Sequence, residues 1–306
     1  MNYIQIVDGK AYIPKSKILN SEIENRFKFK KDFIKSRTGI EKRYYAINES
    51  IEEMAVKAVE KIDIDKLQDV EMIIVATTSS NNAMPGISNQ IQKHFKITQC
   101  MCLDILAGCG GFINAIDIAK IYIETGRINK ALVVGVDKLS KTIDTNDLGT
   151  MAVLADGAGA VLLQKTMKAK MYKANIEAKE DLKDILSYKI GENIKMKGKE
   201  VYKYAVTEPV DNINRLLEIA NESMENIKYI IPHQSNLKIL NSIAKKLRIS
   251  QDKMYINIQK IGNTFCASIP IAIAEMMEND LLQEDDKIIL LGYGGGLNTG
   301  SILMEF

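Results

Sequence analysis

This 306-residue chain carries four cysteines and two histidines, so thiol and imidazole chemistry near neutral pH has few places to reside. Cys109 has the most informative setting. It falls in Leu103-Asp104-Ile105-Leu106-Ala107-Gly108-Cys109-Gly110-Gly111-Phe112, where an apolar run that reads as a buried strand turns into an apolar helix. Glycines at 108, 110 and 111 permit a tight bend and a close approach of backbone to ligand. A thiol at that turn sits on the positive end of a helix dipole, which favours thiolate and hence nucleophilic chemistry. An inert core cysteine is the competing reading. Of the histidines, His94 lies among Lys93 and Lys96 in a helical stretch and reads as a surface or boundary residue. His233 follows the apolar run Tyr229-Ile230-Ile231 within Ile231-Pro232-His233-Gln234-Ser235-Asn236. That sets it at the carboxyl end of a strand, where open α/β sheets place their ligands. No C-x-x-C pair or cysteine–histidine spacing suggests zinc, and the cysteines do not form a secreted disulfide framework.

The elements that must position these residues repeat along the chain. The first half offers a helical pattern from Ile51 to Ile62, a buried strand from Val70 to Ala76, a polar loop from Ser79 to Gly86 and a helix from Ile87 to Phe95. The Cys109 turn and its helix follow, then strands at 130–136 and 156–163. The second half offers a helix from Val210 to Asn221, strand 229–231, a helix from Leu237 to Leu247 and a strand at Tyr255-Ile256-Asn257. The turn Ile261-Gly262-Asn263-Thr264, a helix from Ala267 to Met277, strand 287–291 and a closing run 300–306 complete it. Repetition on this scale predicts an α/β fold of two βαβαβαββ halves, residues 1–165 and 166–306, packed as one five-layered αβαβα unit. The lysine-rich stretch 166–200 reads as a surface excursion, and the basic run from Lys28 to Arg43 as a solvated face.

Pseudo-two-fold symmetry would bring the two glycine-led turns face to face, so that Cys109 meets Asn263 and both meet His233. The histidine could polarise or accept the thiol proton, and histidine and asparagine could both donate hydrogen bonds to an anion developing on a carbonyl. A satisfied core histidine and a helix-capping asparagine are the alternatives. The glycine loop Gly292-Tyr293-Gly294-Gly295-Gly296 does not fit a dinucleotide site, because no helix and second strand follow it. Its backbone N–H groups suit an oxyanion hole better.

Composition narrows the class. Lys+Arg 41 against Asp+Glu 39 leaves a formal +2, which points to neither nucleic acid nor an anionic membrane. Charges and a proline in residues 1–17 do not read as a signal peptide, and no apolar stretch reaches membrane-spanning length, so a cytoplasmic protein is expected.

These residues resemble the 3-oxoacyl-acyl-carrier-protein synthases III of the thiolase superfamily over nearly the whole chain. The resemblance rests on residues 36–43 (SRTGIEKR), 103–112 (LDILAGCGGF), 156–161 (DGAGAV), 232–236 (PHQSN), 262–270 (GNTFCASIP) and 292–297 (GYGGGL). It implies a homodimer with a thiolase-like fold in which Cys109 is acylated from an acyl thioester, either acyl-coenzyme A or an acyl-carrier donor. Malonyl-acyl-carrier protein would then decarboxylate beside His233 and Asn263, and its carbanion would attack the acyl-enzyme. The N–H groups of Cys109 and Gly295 would hold the thioester oxyanion, and no metal or redox cofactor is implied. Substrate contacts are implied at Phe33, Arg37, Met84, Leu148, Tyr202 and Asn236. The chain departs from the family where an adenine is usually clamped by tryptophan and arginine: Phe33 and Leu148 stand there, so a weaker hold on coenzyme A is expected. Met84 takes a usually aromatic position that closes the partner's acyl pocket. On the helix after His233, Lys238, Lys245 and Arg248 share a face with Asn241 and are expected to dock an acidic carrier protein. A biosynthetic thiolase is disfavoured, since Tyr293 and glycines occupy the place of its second cysteine. An acyltransferase acting on an oxygen, nitrogen or other carbon nucleophile, and a non-catalytic partner subunit, are the rival readings.

Overall fold

The long β-branched runs become the inner strands of two sheets. In the computed structural model, which describes residues 2–181 and 183–306, the first sheet contains β1 (Tyr3–Tyr12), β2 (Met72–Ala76), β3 (Met101–Ile105), β4 (Lys130–Lys138) and β5 (Asp156–Thr166). Their order is β1-β5-β4-β2-β3, with β2 parallel to both β3 and β4, and β5 antiparallel to β1 and β4. The second sheet contains β6 (Tyr172–Ala178), β7 (Tyr229–Pro232), β8 (Lys287–Gly294) and β9 (Asn298–Glu305) in the order β7-β8-β9-β6, with only β7 and β8 parallel.

Six helices layer these sheets: α1 (Ile51–Val59), α2 (Ile87–His94), α3 (Gly111–Glu124), α4 (Glu208–Ala220), α5 (Leu237–Leu247) and α6 (Ser268–Glu278). Helices α3 and α6 are apolar on most sides because both sheets press on them. Phe112, Ile113, Ile116, Ile269 and Ile273 share one core with Ile74 and Val133 of the first sheet and Leu290 and Ile302 of the second. Helices α1 and α2 cover the far face of the first sheet, and α4 and α5 that of the second. Five layers result, α-β-α-β-α, as the repetition predicts.

Several local expectations are corrected. The run 103–106 does not form a buried strand: β3 is an edge, with Met101, Leu103 and Leu106 exposed. Residues 255–257 form no ladder. One bridge, Ile230 to Met254, stands there, and buried Gln234 holds the segment by accepting from Asn257 N at 3.0 Å and donating to Tyr255 O at 3.0 Å. The stretch 166–200, of which Leu182 lies outside the described residues, is no mere surface excursion, since β6 completes the second sheet within it. The basic run is not solvated throughout either. Arg43 is fully buried and donates to Asn20 Oδ1 at 2.7 Å and Ala152 O at 2.8 Å.

Candidate active site

Each catalytic candidate sits at a strand end or in a turn, with glycines closing on Cys109 and preceding Asn263. Cys109 lies in a short 3-10 turn, Gly108–Gly110, between β3 and α3. Gly108 takes φ +58, and a Cβ there would stand 2.6 Å from Gly295 O. The hairpin of β8 and β9 closes over the sulfur so tightly that a Cβ on Gly294 would lie 2.7 Å from Cys109 Cβ and 2.9 Å from its Sγ. Only glycine fits there.

His233 follows β7 directly, its N–H donating to Leu291 O at 2.7 Å, and its Nδ1 pairs with Ser268 Oγ at 2.7 Å. Asn263 is fixed by its backbone, which donates to Val153 O and accepts from Ala155 N, both at 2.8 Å. Its Oδ1 accepts from Phe265 N at 3.1 Å, which leaves Nδ2 to face Ser235 O at 3.4 Å. Cys109, His233 and Asn263 are all buried and all line one cavity of about 310 Å³. The structure brings the three together.

Electrostatics correct the dipole argument. Burial, reinforced by the nearby Asp137 carboxylate, holds the Cys109 thiol well above its ordinary range, although the N–H groups of Gly295 and of Cys109 itself pull the other way. The free protein therefore presents a thiol, with donors already turned toward the sulfur. Burial alone pushes His233 down to about 3, so the imidazole is neutral at physiological pH. Asp137, pushed up to about 6 by burial, accepts from Thr78 N at 2.7 Å, Ser79 Oγ at 2.7 Å and Cys266 N at 3.0 Å. It ties the loop after β2 to the turn before α6.

Of the expected substrate contacts, Phe33, Arg37, Leu148, Tyr202 and Asn236 line the same cavity. Met84 does not: it is 86 % exposed on the loop between β2 and α2. Phe29 stacks on Phe33 at 4.1 Å, and the Arg37 guanidinium lies 5.6 Å over that ring. Lys238, Lys245 and Arg248 are exposed and make no ion pair among the described residues. The sequence reading missed the wall formed by Ile185, Leu186, Ile194 and Met196, which lie in or beside two-residue strands too short to show a period. It also missed Ser268 and Tyr293, which approach His233 as single polar groups in apolar runs. No cluster of three or more His, Cys, Asp or Glu side chains among the described residues could hold a metal.

Comparison with known proteins settles the family. The pattern described as 3-oxoacyl-[acyl-carrier-protein (ACP)] synthase III matches residues 103–180, and that of its C terminal region matches residues 217–306. The beta-ketoacyl-[acyl-carrier-protein] synthase III of Clostridium acetobutylicum is 36% identical, over 100% of this chain and 99% of its own. The chain belongs to the 3-oxoacyl-acyl-carrier-protein synthase III family. The crystal structure of that synthase from Aquifex aeolicus, 34% identical, superposes with a TM-score of 0.95 over 99% of this chain and 100% of its own. Membership makes the protein an acyl-transferring, condensing enzyme of the thiolase-like kind. An OleA from Xanthomonas campestris, 19% identical with a TM-score of 0.89 and coverage of 99% of both chains, shares the fold.

Proposed function

We propose that the protein condenses an acyl thioester with malonyl-acyl-carrier protein to give a 3-oxoacyl-carrier protein, by way of acyl-Cys109. The observation that carries this reading is the burial of Cys109, His233 and Asn263 on the walls of one cavity. Cys109 Sγ attacks the donor carbonyl, the donor sulfur departs with the thiol proton, and an S-acyl bond forms. The N–H groups of Cys109 and Gly295 stabilise the tetrahedral oxyanion. Malonyl thioester then loses carbon dioxide. The electron pair of the broken C–C bond passes to the α-carbon and thioester oxygen, where His233 and Asn263 stabilise it, and the α-carbon attacks acyl-Cys109 and expels its sulfur as a thiolate, which takes up a proton from solvent to regenerate the thiol. Because decarboxylation itself generates the carbanion, the reaction needs no metal or redox group.

Phe33, Arg37, Leu148, Tyr202 and Asn236 are read as contacts to the pantetheine arm and its donor, since all reach the cavity. Lys238 and Lys245 of α5 suit an acidic carrier protein, and Arg248, expected on the same helical face, instead stands one residue past the helix end with a left-handed backbone beside them. A cytoplasmic location fits that partner, and no helix among the described residues is long and apolar enough to cross a membrane. A homodimer is supported by β3, which leaves one backbone edge unpaired beside Leu106, 69 % exposed, and the projecting Met84. In that assembly Met84 would reach the partner's cavity.

His233→Ala and Asn263→Ala test the division of labour. Each should lower condensation by about 10²–10³-fold, the usual loss on removing one oxyanion donor, while Cys109 still acquires the acyl group. Equal loss of both half-reactions would refute it.

A further inference from the structure

Among the described residues, one group hydrogen-bonds the His233 imidazole. The His233 side chain is 2 % exposed, Phe265 and Tyr293 meet the ring edge-on at 6.5 and 5.4 Å, and its one side-chain hydrogen bond among the described residues joins Nδ1 to Ser268 Oγ at 2.7 Å. Ser268 is also 2 % exposed, and its hydroxyl has no other hydrogen-bond partner among the described residues. Nε2 is bonded to no described residue, and the histidine lines the cavity with Cys109 and Asn263.

Two proton arrangements are compatible with that contact. If Nδ1–H donated to Oγ, the serine proton would be a buried donor with no acceptor. If the serine hydroxyl donates to Nδ1, both groups are satisfied. A neutral imidazole carries one proton, so acceptance at Nδ1 puts that proton on Nε2, facing the cavity. Burial keeps the ring neutral throughout the physiological range.

We infer that Ser268 is a positioning residue that locks His233 in the Nε2–H tautomer, so that the histidine acts as a hydrogen-bond donor and not as the base for Cys109. This rests on the condensing reading above and makes it more specific. In decarboxylation, Nε2–H and Asn263 Nδ2–H donate to the oxygen that receives the electron pair. In acylation one thiol is exchanged for another: the Cys109 proton ends on the departing sulfur, with none left on His233. The two half-reactions therefore depend on Ser268 differently.

The test begins with the tautomer itself. His94 is a surface residue paired with Glu60 at 3.0 Å, so His94→Gln in the full chain leaves a single imidazole for 15N-histidine NMR. At neutral pH, Nε2 should give a pyrrole-type signal and Nδ1 a pyridine-type one; the reverse assignment overturns the proposal. Ser268→Ala should let both tautomers populate and lower condensation kcat roughly tenfold, the population change expected from losing one neutral hydrogen bond. KM for malonyl-carrier protein and the Cys109 acylation rate should stay within about twofold. Ser268→Thr, which keeps the hydroxyl, should restore the single tautomer and the rate. An alanine variant that condenses normally, or one that loses acylation equally, overturns the assignment. Should Ser268→Ala not fold, the spectrum of the parent decides. Absence of any condensation by the parent would count against the functional reading alone, and the spectrum would still decide the tautomer.

Discussion

At the floor of the cavity, Cys109, His233 and Asn263 are held by backbone: a left-handed glycine before the thiol, Gly294 closing over it, and main-chain hydrogen bonds at 2.7–2.8 Å on the other two. At the mouth, Phe33, Arg37, Leu148 and Tyr202 come from three short helical segments, and Arg37 and Tyr202 are exposed. Floor atoms cannot move without moving two sheets. The exposed mouth side chains, Arg37 and Tyr202, can be exchanged at little cost to packing, so the mouth is where members of one family can differ in donor while sharing the reaction. Phe33 and Leu148 are half-buried against the core, and the Phe33 ring is engaged by Phe29 and Arg37.

The sharpest way to break the contrast is Gly294→Ala. Its methyl would lie 2.9 Å from Cys109 Sγ, and a displacement of about 1 Å at a reacting atom can cost ~10²-fold. Acylation should fall by at least about that factor while urea titration still shows a cooperatively folded protein. An alanine variant with normal acylation would show that the floor is looser than its geometry says.

A second measurement uses protonation. Folded His233 titrates near 3 against 6.5 for the free side chain. Between those values the unfolded chain binds the extra proton, so stability is lost as pH falls below about 6.5. The slope should approach ~1.4 kcal/mol per pH unit for one proton, and His233→Gln should remove it. Asp137, raised to about 6, contributes the opposite slope between its unfolded and folded values, but it does so in both proteins and drops out of the difference. Equal slopes in the two proteins would mean that His233 is solvated.

The smallest effect belongs outside the floor. Lys245→Glu with Arg248→Glu should raise KM for malonyl-carrier protein several-fold, on the order of 1 kcal/mol for exposed charges. Added salt should shrink the difference. Acylation of Cys109 by small thioesters should be unchanged, and an unaltered KM would dispose of the docking face.

The same contrast explains what could be read from the sequence. Cys109, His233 and Asn263 were legible because each stands at a strand end or beside glycines whose spacing follows the α/β repeat. Ser268 was not, because a lone serine in the first turn of an apolar helix has the same appearance whether it caps, packs or holds an imidazole. Ile185 and Ile194 were hidden in a lysine-rich stretch where other apolar side chains, Met167 and Ile190, are exposed, so apolar character there does not mark which positions turn in. Arg43 misled in the opposite sense: it lies in a basic run, yet its guanidinium is buried against Ala152 O, beside the segment that holds Asn263. The exposed edge of β3 was misread because its apolar residues resemble those of a central strand, and only the strand order shows that no neighbour lies beyond it.

The most direct test of the account is intact-mass spectrometry after incubation with a panel of acyl-coenzyme A and acyl-carrier donors, followed by addition of malonyl-carrier protein. The protein should gain one acyl group on Cys109 and lose it as 3-oxoacyl-carrier protein appears, and Cys109→Ser should gain none. An acyl group that forms on Cys109→Ser, that maps to Cys266 or another residue, or that persists unchanged when malonyl-carrier protein is added would contradict it.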